Sequence, residues 1–151
     1  MADLILVCGC PGSGKTTWIK NNLTEKDVHV SRDEIRFSLI KEGEEYFSHE
    51  NEVYQIFWNT INEKLKLGFN VFADQTNLTP KARKYLINHI EGYDKLKIVW
   101  VDVPIKVALS RNENRKGTLA YVPPKVIRNM RASFIPPSEK EGFNSITKVG
   151  E

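Results

Sequence analysis

The sequence contains only two cysteines, Cys8 and Cys10, which lie two positions apart. They cannot build a disulfide framework, and they have no partners at metal-ligand spacing. No apolar run approaches the roughly 18 residues of a membrane span, and the N-terminus lacks the basic region of a signal peptide. We therefore expect one domain over residues 1–151 in the cytoplasm, away from membranes, with both cysteines as small packing residues.

The chain also has little excess of positive over negative charge, because its formal net charge is only +3. The early middle of the chain is acidic, and solvated helix faces account for most of these positions. A later segment is basic, which suits an anionic ligand such as a nucleotide or a polynucleotide. The basic residues of this segment are Arg111, Arg115, Lys116, Lys125, Arg128 and Arg131.

Short apolar strands alternate with amphipathic helices along the whole chain. This order predicts an α/β fold with a parallel sheet of four to five strands and helices on both faces. The predicted strands are Leu4 to Cys8, Val28 to Ser31, Val71 to Ala73, Ile98 to Val101 and Ile146 to Val149. The predicted helices are Lys15 to Leu23, Asp33 to Lys41, Tyr46 to Leu67, one from Pro80, Pro104 to about Asn114, and one from Pro123.

The stretch GCPGSGKTT between the first strand and the first helix fits G-x-x-x-x-G-K-[ST] at every fixed position. Glycines at these points let successive backbone N–H groups face phosphate oxygens, and the helix adds its positive end. Lys15 is expected to reach the β- and γ-phosphates of ATP, and the Thr16 hydroxyl to hold Mg²⁺. The predicted ATP-binding residues of this loop are Gly9, Cys10, Pro11, Gly12, Ser13, Gly14, Lys15, Thr16 and Thr17.

Two absences narrow the class of nucleotide-binding protein. The chain has no Asn-Lys-x-Asp segment to read guanine, and it has no room for the extra helical domain of a ring ATPase. A small phosphotransferase remains. Its transfer site is predicted at the carboxyl ends of the strands, beside the phosphate loop.

Three acidic positions at this sheet edge carry more than one interpretation. Asp33 follows the second strand, where it can act as a general base or cap a helix. Asp74 and Asp102 each end an apolar strand, so either can be the magnesium-side acid, and Asp74 can alternatively face the substrate. Spacing alone does not choose between them.

The segment Arg111 to Gly117 closes a helix and leads into a polar stretch. Its arginines can complement the helix dipole, or they can form a lid over ATP, at about residues 111–122, that neutralises the migrating phosphoryl group. Both interpretations can hold together.

The motifs GCPGSGKTTW, SRDEIR, DQTNLTPKAR and RNENRKGTLAYVP, in this order, resemble the kinase domain of the polynucleotide 5′-hydroxyl kinase family, as found in bacteriophages. The closing segment FIPPSEKEGFNSI is similar to the end of that domain in metazoan members. The resemblance spans nearly the whole chain. It implies a P-loop kinase fold and transfer of the ATP γ-phosphate to the 5′-hydroxyl of DNA or RNA, in the host cytoplasm if the chain is phage-encoded.

The resemblance also implies roles for single residues. Asp33 matches the general base, and Lys15 and Arg115 complete the catalytic set, with Arg111 as a second lid contact to ATP. Arg36 matches an arginine that contacts the 3′-phosphate of the substrate. Asp74 matches the acid that orients this arginine, and Asn77 of the same motif joins the substrate-binding residues.

The chain departs from the family pattern in three ways. Gln75 is extra between Asp74 and Thr76, and Lys116 intrudes before Gly117. An Asp-x-Asp-x-Thr phosphatase motif is absent, so we expect a kinase without a phosphatase domain, with end-processing or ligation proteins as partners. Two alternatives stay open, a kinase of a small hydroxylic metabolite and a nucleotide-dependent binding module without transfer.

Overall fold

A computed structural model describes residues 2–150 of the chain. In chain order the strands of this part are β1 (Leu4–Cys8), β2 (Asp27–Ser31), β3 (Asn70–Asp74), β4 (Leu96–Asp102) and β5 (Ser145–Gly150). They form one sheet in the order β2-β3-β1-β4-β5, in which every neighbouring pair is parallel. The predicted α/β sheet is confirmed, with five strands.

Helices connect the strands, and several begin at sequence signals for a helix start. The helices are α1 (Lys15–Asn22), α2 (Arg32–Leu39), α3 (Glu50–Lys66), α4 (Pro80–Ile87), α5 (Ile105–Glu113), α6 (Pro124–Ser133) and a 3₁₀ turn at Glu139–Glu141. Proline opens α4 and α6, where its missing N–H costs no hydrogen bond. No helix within residues 2–150 is long and apolar enough to cross a membrane.

Strand β1 lies at the centre of the sheet and is buried on both faces. Leu4 and Leu6 belong to the core on one face, with Phe57 of α3, whereas Val7 packs on the other face with Ile19 of α1. This double burial explains why β1 is a continuous apolar run. Cys8 is fully buried, and burial raises the pKa of its thiol to about 12, so it packs as a neutral side chain.

The third predicted helix was placed too early in the chain. It was expected from Tyr46, but α3 begins at Glu50, and residues 46–49 form turns. The Tyr46 ring contacts the rings of Phe37 and Phe47, and its hydroxyl bonds to Asp33. Tyr46 is therefore held against α2, which stops α3 from extending back to it.

Parallel pairing brings the ends of the strands to one edge of the sheet. Asp74 lies beside Val7 on one side and beside Ser31 on the other. The loop after β1, the start of α2 and the end of β3 therefore meet at this edge, where ligands bind in open α/β sheets.

Candidate active site

The loop between β1 and α1 has a backbone that only glycine fits at two positions. A Cβ on Gly12, whose φ is +83°, would lie 2.6 Å from the carbonyl oxygen of Ala108. A Cβ on Gly9 would lie 2.7 Å from the carbonyl oxygen of Val101. The loop is thus packed directly against the backbone of its neighbours, which fixes its curvature.

The start of α1 is open to an anion. Its first turn carries no acidic side chain, and its N-cap, Gly14, offers no side-chain hydrogen bond. The free N–H groups and the positive end of the helix are therefore available to a phosphate. The Lys15 ammonium donates to the carbonyl oxygens of Gly9 and Cys10, at 2.8 and 3.2 Å, so it lies inside the same loop.

Asp74 contacts the threonine predicted to hold magnesium. The Thr16 hydroxyl donates to Asp74 Oδ2 at 2.8 Å, and His29 Nε2 lies 2.9 Å from the same oxygen. Burial alone would raise the pKa of Asp74, but the bonds from His29 and Thr16 and the charge of Lys15 lower it below its ordinary value. Asp74 is therefore a buried carboxylate in its charged form.

These oxygens fit a magnesium ion that is also held by nucleotide phosphates. Mg²⁺ usually takes one or two carboxylates, and substrate phosphates supply further ligands. The part of the chain that the structure describes contains no cluster of three or more acidic, His or Cys side chains that could hold a metal alone. Thr16 and Asp74 would hold the ion, whereas Asp102 faces Arg131 and Lys148, at 3.5 and 3.4 Å.

Asp33 lies in the first turn of α2 and is not its cap. Ser31 is the cap, because its hydroxyl accepts the backbone N–H of Glu34 at 3.2 Å. The Asp33 side chain is 60% exposed, and its Oδ1 accepts from Arg36 and, at 3.0 Å, from the Tyr46 hydroxyl. Between residues 2 and 150, Oδ2 has no hydrogen-bond partner, so this oxygen is free to accept a proton.

Arg36 is buried, and its expected acidic partner is corrected by the structure. The resemblance implied that Asp74 orients it, but Glu50 holds it through two bonds, from Nε at 2.7 Å and from Nη2 at 2.6 Å. Nη1 donates to Asp33 and, at 2.8 Å, to Tyr46. The reason is packing, because α2 lies against the start of α3 while Asp74 is engaged by Thr16 and His29.

The Arg36–Glu50 pair favours both charged forms. Burial disfavours the charged guanidinium, but the hydrogen bonds to Glu50 outweigh it and raise the pKa of Arg36. Burial likewise opposes ionisation of Glu50, and the bonds from Arg36 together with the charge of Arg32 lower its pKa. Arg36 is thus a fixed cation that joins Asp33 to α3.

A cavity of about 370 Å³ joins the phosphate loop to Asp33, and we name it the acceptor cavity. Its polar side chains include Lys15, Asp33, Arg36 and Asp74, so the structure brings these four predicted residues together. The opposite wall is mostly apolar and comes from the segment before α6 and from α6 itself. The residues of this wall are Tyr121, Val122, Pro123, Val126 and Met130.

A second cavity, of about 550 Å³, lies on the other side of the phosphate loop. Arg111 and Arg115 line it together with Thr17 and Trp18. Arg111 also donates to the carbonyl oxygens of Gly12 and Ser13, at 3.3 and 3.1 Å. Lys116, by contrast, is exposed and lies 3.5 Å from Glu113, which favours Arg115 over Lys116 as the lid residue at the nucleotide.

Asn77 does not reach the acceptor cavity. Its side chain is only 1% exposed, and it donates to the carbonyl oxygens of Val7 and Gln75, at 3.2 and 3.3 Å. Its φ of +48° is left-handed, a conformation that asparagine tolerates. Asn77 therefore holds the turn after β3, and its expected contact with the substrate stays a prediction.

Sequence reasoning missed several residues of the site. Glu50 lies among many acidic positions, so nothing marked it as the partner of Arg36. His29 had a signal, as a polar residue between Val28 and Val30 in the middle of β2. Arg83 also had one, since it lies three residues before Leu86 on the same face of α4, where it is fully buried and bonds to Glu141 and to the carbonyl of Asn77.

The chain is similar to known proteins over most of its length. A family model described as an AAA domain matches residues 4–137. A chain of the Pnkp1/Rnl/Hen1 RNA repair complex is 20% identical with a TM-score of 0.72, and the match covers 87% of this chain and 43% of that one. This chain therefore spans less than half of that protein.

Two further solved structures match this chain over most of their own length. Kti12 from Chaetomium thermophilum, in complex with ADP-AlF3, is 15% identical with a TM-score of 0.69, covering 97% of this chain and 88% of that one. A gluconokinase from Sinorhizobium meliloti is 18% identical with a TM-score of 0.59, covering 98% and 82%. These likenesses establish the α/β fold that the chain shares with these proteins.

Proposed function

Because the chain belongs to the AAA domain family, we propose that it is an ATP-dependent kinase that phosphorylates the 5′-hydroxyl end of a polynucleotide, DNA or RNA. The observation that carries the proposal is the acceptor cavity. It holds the Asp33 carboxylate, whose Oδ2 has no hydrogen-bond partner among the described residues, in the same space as the phosphate-loop lysine, Lys15. A protein that only binds nucleotide has no need of such a carboxylate.

The donor side of the proposed site is built by the phosphate loop and the lid. Backbone N–H groups from Gly9 to Thr16 bind the phosphates of ATP, and Lys15 exchanges its two carbonyl partners for β- and γ-phosphate oxygens. Thr16 and Asp74 would hold Mg²⁺, which would supply positive charge against the phosphates. Arg115 approaches the γ-phosphate from the lid at about residues 111–122, with Arg111 beside it.

The transfer step needs only one proton acceptor. The acceptor hydroxyl oxygen forms a bond to the γ-phosphorus, and the bond from that phosphorus to the β–γ bridging oxygen breaks, so ADP leaves with the bond electrons. Asp33 Oδ2 takes the hydroxyl proton. Arg36 and Tyr46 keep Oδ1 occupied, which directs Oδ2 at the hydroxyl.

A nucleotide end suits the two walls of the acceptor cavity. Arg32 and Arg36 supply positive charge at one wall for a phosphate of the acceptor. Pro123, Val126 and Met130 supply an apolar surface on which a base can pack. Likeness to a chain of an RNA repair complex supports the same class of acceptor and partners that process or ligate ends.

A small hydroxylic metabolite is the second candidate acceptor. It is favoured by the likeness to a gluconokinase, which this chain covers over 82% of its length, against 43% of the RNA repair chain. The same donor site and the same base would serve such a substrate.

Label transfer from γ-labelled ATP with Mg²⁺ distinguishes the two candidates. A 5′-hydroxyl oligonucleotide should become labelled at its 5′ end, and an otherwise identical 5′-phosphorylated oligonucleotide is the matched control. Transfer to gluconate or other small sugars, with none to the oligonucleotide, would reject the polynucleotide acceptor. Absence of transfer to any acceptor would favour a binding module.

A further inference from the structure

A groove of about 520 Å³ lies next to the acceptor cavity on the surface. Arg32, Gln75 and Thr76 line both spaces, so the groove and the cavity adjoin at these three residues. The groove runs from these shared residues along α4. Its size is in the range of ligand-binding clefts, about 300–1,000 Å³, and no step of the proposed phosphoryl transfer uses it.

The charge of this groove has one sign. Lys81 and Lys84 of α4 line it and are exposed, and Arg32 lies at its junction with the acceptor cavity. None of its described lining residues is acidic, and α4 carries no acidic residue. This asymmetry is notable in a chain with a net charge of only +3. The groove is thus complementary to a polyanion.

The groove also presents an aromatic surface. The Tyr85 ring is 50% exposed and lies 5.3 Å from the Tyr54 ring, which Arg32 covers at 4.3 Å. Behind them, Trp58 stacks on His89 with centroids 3.9 Å apart, and Trp58 lies 5.0 Å from Tyr54. Tyr85 is therefore an exposed ring that packs against other rings. Its side chain loses little conformational entropy when a planar ligand stacks on it.

We propose that this aromatic–basic groove binds the single-stranded segment of the acceptor polynucleotide that follows its 5′-terminal nucleotide. Alternating positive charge and exposed rings are the features that bind single-stranded nucleic acid without sequence preference. Lys81 and Lys84 contact successive phosphates, and a base stacks on Tyr85. The inference rests on the proposed function, because the position of the groove directly beside the acceptor cavity is what makes the ligand an acceptor strand.

The test compares long and short acceptors. Binding of a labelled 5′-hydroxyl oligonucleotide of about eight nucleotides is measured by fluorescence anisotropy, and kinetics are measured with the same oligonucleotide and with a nucleoside 3′-phosphate. Tyr85→Ala should weaken binding of the oligonucleotide on the order of tenfold and raise its KM relative to that of the nucleoside 3′-phosphate. Tyr85→Phe keeps the ring and should restore both values.

Charge variants test the phosphate contacts independently of the ring. Lys84→Ala should reduce the slope of log affinity against log salt by about 0.7, the value for one phosphate contact to a single strand. Lys66→Ala, an exposed lysine at the opposite end of α3 from Glu50, is the matched control and should leave the slope unchanged. Far-ultraviolet circular dichroism establishes that each variant is folded.

Failure of the inference and failure of the proposed function give different results. If the oligonucleotide is phosphorylated and Tyr85→Ala and Lys84→Ala bind it like the parent protein, the groove is not its site and the kinase proposal stands. If the oligonucleotide binds the parent protein, and binds the variants with the expected losses of affinity, but is never phosphorylated, the groove stands as a single-strand site and the kinase proposal fails. If the parent protein does not bind the oligonucleotide, the inference is overturned.

Discussion

The buried arginine of α4 offers a strong test of what holds the site together. Arg83 is 0% exposed, and it donates to both oxygens of Glu141, at 2.7 and 3.0 Å. It also donates to the carbonyl oxygens of Asn77 and Ile135, at 2.8 and 3.0 Å. One side chain thus ties α4 to the turn after β3 and to the segment before β5.

Arg83→Met removes the charge and all four bonds while keeping much of the volume. Glu141 keeps one backbone partner, the N–H of Ser138 at 2.9 Å, and becomes a mostly buried carboxylate without a cation. Breaking a buried ion pair in this way costs about 3–5 kcal/mol. A domain of this kind is stable by about 5–15 kcal/mol in total, so the loss takes a large share.

Urea unfolding measures this loss. With a dependence on urea of about 2 kcal/mol per molar, a loss of about 4 kcal/mol lowers the unfolding midpoint by about 2 M. Lys84→Met, on the exposed face of the same helix, is the matched control and should change stability by less than about 0.5 kcal/mol. A midpoint for Arg83→Met within about 0.5 M of the parent, equivalent to 1 kcal/mol, would refute the assignment of this pair as a structural tie.

The double variant Arg83→Met with Glu141→Leu removes both charges. It should be more stable than Arg83→Met alone, because no uncompensated carboxylate remains. The difference between the double variant and the sum of the single ones gives the coupling energy, which is about 0.5–3 kcal/mol for residues in contact. Additive effects would contradict the direct pairing.

Further predictions concern the proposed chemistry and its pH dependence. Asp33→Asn should lower kcat about 10²–10⁴-fold. The affinity for a non-hydrolysable ATP analogue, measured by calorimetry, should stay nearly unchanged, because the proposed base acts on the acceptor. A loss of nucleotide affinity as large as the loss of kcat would contradict this role. Arg115→Ala should lower kcat, measured by steady-state kinetics, on the order of 10²-fold, whereas Lys116→Ala should leave kcat nearly unchanged. Equal losses of kcat in the two variants would reject the assignment of Arg115 as the lid residue. The lowered pKa of Glu50 stabilises the fold above its unfolded value of 4.5 and ceases to do so as pH falls through the folded value. Glu50→Gln should therefore lower Tm most at neutral pH, with a gap to the parent that narrows in acid; a constant gap would show that ionisation of Glu50 is not responsible.

The parts of the fold that sequence predicted are those with local causes. Strand β1 is apolar throughout because it is central and buried on both faces, and the glycines of the next loop follow from its close contacts with Ala108 and Val101. These features need only a few neighbouring residues to recognise. The number of strands and their parallel direction follow from the alternation of strands and helices along the chain.

The contacts that sequence did not predict depend on partners distant in the chain. Asn77 lies in the substrate motif of a similar family, but its side chain is drawn into the sheet by the carbonyl of Val7. Arg83 lies three residues before Leu86, at the spacing of one helix face, although no prediction singled it out. Its need for a buried acid was then predictable, but Glu141 as that acid was not.

The proposed base depends on the same kind of long-range contact. Asp33 is positioned by Arg36 and Tyr46, and Arg36 is held in turn by Glu50, the first residue of α3. The start of α3 is the helix boundary that the sequence analysis placed too early. Tyr46 lies before the helix, where its hydroxyl donates to Asp33. Four N–H groups of Arg36 already bond to protein, which leaves one, on Nη2, for an acceptor phosphate. Loss of Arg36 should therefore change kcat as well as KM, since the residue proposed to contact the acceptor also holds the proposed base, Asp33, in place.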